Sequence, residues 1–180
     1  MIDQTFADVA TPLIRARLEK VLGIEFPKVP VVVKEHLTWE DSWGYTPEDV
    51  AEYPAGPEGV AMGITNFDQD EVAAPNHVIL YAKQLSPSYN MMAALMTGVG
   101  PFDEYAWAAA VLAHELIHTT LPAYYGHVGA FVDRARRAGL IGPPTSSFPG
   151  SDFAQWVEQV VVPAYKKVAS PIAISRVMGV

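Results

Sequence analysis

The sequence predicts an α+β fold, and three observations carry that reading. Stretches with helical spacing are interspersed with two short strand-like runs, Val29–Lys34 and His77–Ala82, without the regular βαβ alternation of a doubly wound sheet. Half of the 180 residues are apolar, enough for one domain with a substantial core over residues 1–180. No internal repeat or low-complexity tract interrupts the chain.

Taken in order, the first element is a helix centred on Thr11–Leu22: Thr11 is its expected cap, Pro12 suits the first helical position and Gly23 supplies a left-handed stop. Leu13, Ile14, Leu18, Val21 and Leu22 fall on one face, and residues before Thr11 add at most a further turn, kinked at Pro12. Val29–Lys34 is short and β-branched, a buried strand. Glu35–Pro57 is irregular, with Trp39, Trp43, Tyr45 and several acids. Val60–Asn66 alternates weakly, His77–Ala82 is the stronger strand, and the polar Phe67–Asn76 stretch between them suits a hairpin connection. Ser86-Pro87 reads as a helix start for the ambiguous Ser86–Gly98, with Met91, Met92 and Leu95 as inward candidates. Asp103–Thr120 is Ala-rich and strongly helical, ended by Pro122. Val128–Ala138 is another helix, closed by Gly139. Gly142–Gly150 is a loop, and Asp152–Val168 a last helix, bent at Pro163, whose length over 151–169 packs on the rest.

Composition excludes several function classes. Twelve Lys+Arg against 20 Asp+Glu leave a net charge of −8, which argues against sequence-independent nucleic-acid binding, since that runs on phosphate neutralisation. Arg134, Arg136 and Arg137 are the local exception, and they suit the negative end of their helix. The absence of Cys removes disulfides, thiolate metal sites and a Cys nucleophile. No run reads as a membrane span, and the N-terminus lacks a basic-then-apolar leader. The expectation is a soluble, cytoplasmic protein.

One motif carries chemistry: His114-Glu115-Leu116-Ile117-His118. Histidines four apart on a helix lie about 40° off a common line, so both imidazoles reach one metal. Glu115 then stands beside the position where a metal-activated water would sit, as its general base; zinc lowers the pKa of such a water towards ~7. With five His in the chain, chance would supply H-E-x-x-H only about 0.01 times. A catalytic zinc needs a third protein ligand and one open position. His127, nine residues after His118 and across a turn marked by Pro122 and Gly126, is the leading candidate. It shares a face with Phe131, and a tight helix–turn–helix would swing it back onto the metal. Glu158 on the last helix is the rival, since a His₂Glu site is chemically sound, and Asp133 is a weaker one, better read as an exposed partner of the nearby arginines. His36 and His77 lack ligand spacing. Tyr124 and Tyr125 lie near the proposed metal and are oxyanion-stabiliser candidates, packing under the turn being the competing role.

These residues resemble a known family. HELIH at 114–118, Gly126-His127, Phe131 and Ala138-Gly139-Leu140 are similar to the pattern of SprT-like zinc metallopeptidases. Upstream order agrees, with an N-terminal helix, a Pro-preceded strand over Lys28–Lys34, the pair Gly44-Tyr45 and a strand before the metal helix. The likeness runs over about residues 4–145 and is specific over 114–140. It implies a minimal zincin, a small sheet packed on the metal-bearing helix, with His114, His118 and His127 as Zn2+ ligands, Glu115 as general base, and a protein or peptide substrate. Two departures stand out: Val128 occupies a position that is usually Gly, and without Cys there is no zinc ribbon, which removes the support for DNA targeting seen in some relatives. Compact ribbonless members are common in bacteriophages, so a virion-associated location is the expectation if the chain is viral.

A peptidase could receive an extended substrate along the strand His77–Ala82. The competing reading is an interaction protein that keeps the metal as a staple, with Trp39–Tyr53 and Gln84–Phe102 as partner surfaces.

Overall fold

The computed structural model describes residues 2–35, 63–67, 75–122, 125–145 and 148–178. His36, Gly44-Tyr45, the aromatic stretch Trp39–Tyr53, Tyr124 and the middle of the Phe67–Asn76 connection lie outside the described residues. The elements are α1 (Gln4–Leu22), β1 (Val31–Lys34), β2 (Gly63–Phe67), β3 (Pro75–Tyr81), α2 (Pro87–Thr97), α3 (Glu104–His118), α4 (Ala130–Arg137), β4 (Leu140–Ile141), β5 (Phe148–Pro149) and α5 (Ser151–Trp156). A π-helical turn (Val157–Val161) then leads into α6 (Val162–Met178). Helices mixed with two small sheets make the fold α+β.

α1 begins seven residues before the expected cap. Asp3, not Thr11, caps it: the Phe6 amide donates to Asp3 Oδ1 at 2.9 Å. Pro12 sits inside the helix, and the Thr11 hydroxyl turns back to the Ala7 carbonyl at 2.6 Å. The buried stripe is Phe6, Ala10, Ile14, Leu18 and Leu22, while Val21 is partly exposed. A cap with a longer apolar stripe behind it outweighs the preference of proline for a first turn.

The three-stranded sheet has the order β1-β3-β2, with β1 parallel and β2 antiparallel to β3. The strand over His77–Ala82 is therefore central, not an edge: β3 is hydrogen-bonded on both flanks, and its Val78–Tyr81 stretch is wholly buried. The outer flank of β1 is occupied by Gln4 of α1, whose Nε2 donates to the Val31 carbonyl and whose Oε1 accepts from the Val33 amide, each at 2.9 Å. Among the described residues, β2 is the edge that remains.

α3 lies at the centre of the molecule, buried from Ala106 to Ile117 and capped by Asp103, whose carboxylate accepts from the Tyr105 and Ala106 amides. Its alanines let neighbours approach closely, and it packs against α1, β2, β3, β5 and α4. In α2 the amide of Asn90 is buried against the Phe102 backbone, which fixes the inward face, so Met91 and Leu95 point outward rather than into the core. The end of the expected 142–150 loop forms a short ribbon, β5 on β4. There Gly150 donates to the Gly139 carbonyl at 2.9 Å, and a Cβ at Gly150 would meet that oxygen at 2.6 Å, so only glycine fits. In the last helix the irregularity falls just before Pro163: the wide turn lets Phe153, Val157, Val161 and Tyr165 all face the core. No helix among the described residues is long and apolar enough to cross a membrane.

Candidate metal centre

His114 and His118 occupy the last turn and a half of α3, on the face that meets the segment leading into α4. The helix ends by tightening: Thr119, Thr120 and Leu121 donate to the Leu116, Ile117 and His118 carbonyls, spanning three residues each. The chain then reverses through 125–129, where Gly126 (φ 49°) and Gly129 (φ 52°) take left-handed conformations that side chains resist. α4 consequently begins at Ala130, two residues later than the sequence suggests, and His127 stands in the turn rather than in a helix. Arg134 of α4 clamps the reversal by donating to the Thr120 carbonyl (2.9 Å) and hydroxyl (2.6 Å).

This route brings three ring nitrogens together. The Nε2 atoms of His114 and His127 are 3.0 Å apart, those of His114 and His118 3.1 Å, and those of His118 and His127 3.2 Å. Two nitrogens on a tetrahedral ion with bonds of ~2.0–2.1 Å stand ~3.3 Å apart, so the triangle has the dimensions of one face of such a site. The rings do not satisfy one another. Each Nε2 of a neutral imidazole carries either a hydrogen or a lone pair, so of three at least two are alike and face each other repulsively. A shared positive centre resolves the conflict, and the three histidines are close enough to hold a metal ion.

Protonation states agree with that. Burial, and then the neighbouring His118 and His127, push His114 down to about 2. Burial and then His127 push His118 down to about 3, and burial lowers His127. All three therefore present lone pairs at neutral pH.

Glu115 is buried beside its neighbour His114. One residue on, its side chain leaves the helix ~100° away from that histidine, and it meets β2: the Thr65 hydroxyl lies 2.8 Å from both the main-chain carbonyl and Oε2 of Glu115. Burial raises the carboxyl to about 7, against the opposing pull of the Thr65 hydrogen bonds. The Thr65 hydroxyl has one hydrogen to share between the Glu115 carbonyl and Oε2, and its donation to Oε2 favours the charged carboxylate that burial disfavours.

The other candidates lie elsewhere. Glu158 is exposed on the π turn, outside the histidine group, and Asp133 is exposed and paired with Arg137 at 3.6 Å. His77 lies on β3 opposite Asn66. Tyr125 is half-buried against the core under the turn. Thr65 is the contact that reading the sequence missed; it lies fifty residues from Glu115, and nothing local to it marks the partnership. The arginines diverge, Arg134 to Thr120 and Arg137 to the carbonyls of Val21 and Leu22 at the end of α1. Comparisons with models of protein families, with curated proteins and with solved structures find no match for this chain, and the histidine triangle with its adjoining carboxyl stands on its own geometry.

Proposed function

We propose that this chain is a zinc metallopeptidase of the minimal zincin type, SprT-like in its motif order, which hydrolyses a peptide bond with Glu115 as general base. The observation that carries the reading is the Nε2 triangle of His114, His118 and His127, two of whose corners stand on the same helix end as the buried carboxyl of Glu115. Three neutral imidazoles suit zinc, and three protein ligands leave a position for water or substrate. Zinc held there supplies Lewis acidity towards the scissile carbonyl and brings the pKa of water towards ~7.

The rest of the chemistry belongs to the chain. Glu115, with a carboxyl held near neutrality, takes the proton of the attacking water and returns it to the leaving amine; a group that must do both works best with a pKa near the working pH. Thr65 holds Oε2, so the carboxylate does not swing free. The substrate is a protein or peptide, and the edge of β2 suits an extended segment added as a further strand, with Thr65 tying that edge to the base.

The test combines metal analysis with mutation. The wild type binds one equivalent of zinc and cleaves members of a peptide library, and a chelator abolishes cleavage. Glu115→Ala retains the zinc and loses about 10²–10⁴-fold in rate, whereas His127→Ala loses the metal. Cleavage by metal-loaded Glu115→Ala overturns the proposal. A wild type holding zinc in a centre closed by four protein ligands points instead to a metal staple.

A further inference from the structure

We propose that Phe131 is a positioning residue for the metal centre, the common wall against which all three imidazoles are oriented. The proposal rests on the metal reading of the site but not on peptidase activity. Phe131 is fully buried at the start of α4. Its ring centroid lies 4.2 Å from that of His118, 4.7 Å from His114 and 5.1 Å from His127. The contacts differ in kind. The ring lies nearly parallel to His118, at 22°, and meets His114 and His127 edge to face, at 65° and 82°. These are the two arrangements that aromatic pairs favour.

The geometry matters because proximity alone does not make a ligand. Rotation of an imidazole about its Cβ–Cγ bond swings Nε2 out of the triangle, so each ring plane must be fixed by something outside the metal's own shell. A hydrogen bond at Nδ1 fixes one histidine; a flat, immobile ring touching three fixes them together. It also couples the two segments that would supply the ligands, since Phe131 on α4 lies four residues after His127 in the preceding turn and packs on two residues of α3. An aliphatic side chain would fill the same space without offering a face on which His118 can stack.

Cobalt(II) is the probe, because it takes the place of zinc in four-coordinate nitrogen sites and its visible absorption reports their geometry. Phe131→Leu is compared with Phe153→Leu, a second fully buried phenylalanine whose ring contacts are Trp156 and Arg17 rather than the histidines. Both variants lose core packing, so the pair separates general destabilisation from ligand orientation. At a temperature where circular dichroism shows both folded, Phe131→Leu is expected to bind Co(II) and Zn(II) about 10–100-fold more weakly, with altered cobalt bands. Phe153→Leu is expected to keep the wild-type spectrum and an affinity within about 3-fold. Equal losses in the two variants, or wild-type affinity and spectrum in Phe131→Leu, overturn the proposal while leaving the metal centre intact. A wild type that takes up neither ion overturns both.

Discussion

At the scale of single residues, the centre sets two opposed titrations side by side. His114 and His118 have pKa values pushed below the ordinary 6.5, to about 2 and about 3, while Glu115 is pushed above its ordinary 4.5, to about 7. A depressed imidazole contributes stability that is present above pH 6.5 and is lost as acid protonates the unfolded chain first. A raised carboxyl does the reverse, contributing stability below pH 4.5 that is lost as pH rises through 7. Between 4.5 and 6.5 the two act against each other, and the histidines outnumber the glutamate. The urea midpoint of the metal-free protein therefore falls from pH 7 to pH 5, and falls more steeply in Glu115→Gln, where the opposing group is gone. A midpoint that instead rises from pH 7 to pH 5 would show that the imidazoles protonate freely within the fold, leaving only the opposing carboxyl. Thr65 tests the same carboxyl from another side. Thr65→Val removes a hydrogen bond to the charged form, at a cost of about 1–2 kcal/mol, and raises the Glu115 pKa further. The acid limb of the rate profile moves to higher pH with zinc content unchanged, and Thr65→Ser restores it.

At the scale of elements, the turn over 125–129 decides whether there is a centre at all. Gly129 has φ 52° and ψ −116°, a conformation almost confined to glycine. Gly129→Ala is expected to lose about 1–3 kcal/mol of stability through that strain and to weaken zinc binding, because the turn that aims His127 must relax. Calorimetry and a zinc-competition titration check the two effects separately; undiminished affinity would show that His127 finds the metal without this turn. What the sequence makes legible at this scale is what is local. The spacing of His114 and His118 lies within one helix, and Gly126-His127 after Pro122 marks the reversal. The stripes on α1 and α3 announce helices, though the competition between Asp3 and Pro12 for the start of α1 is settled only by Phe6 being buried. Partnerships across the fold are a different matter. The apolar run within His77–Ala82 marks β3 as a strand without revealing which strands flank it, and the apolar α2 gives no sign that Asn90, by binding the Phe102 backbone, turns Met91 and Leu95 outward. Nor does any pattern in residues 63–67 point to Glu115.

At the scale of the whole molecule, α3 joins the sheet to the helical layer, so two of the three histidines close enough to hold a metal ion, His114 and His118, sit on the element most deeply packed. α4 is anchored at both ends of its route: Arg134 holds it to the end of α3 and Arg137 to the end of α1. The side-chain amide of Gln4 has a consequence for how copies of the molecule meet. By presenting one donor and one acceptor to alternate residues, Val31 and Val33, it imitates a neighbouring chain and seals that border of the sheet. Among the described residues, growth of this sheet by lateral zipping is thereby left to the opposite border, the one that Thr65 ties to Glu115. Gln4→Ala should unseal it, and light scattering that climbs with concentration in the variant, but not in the parent, would register the new adhesive seam.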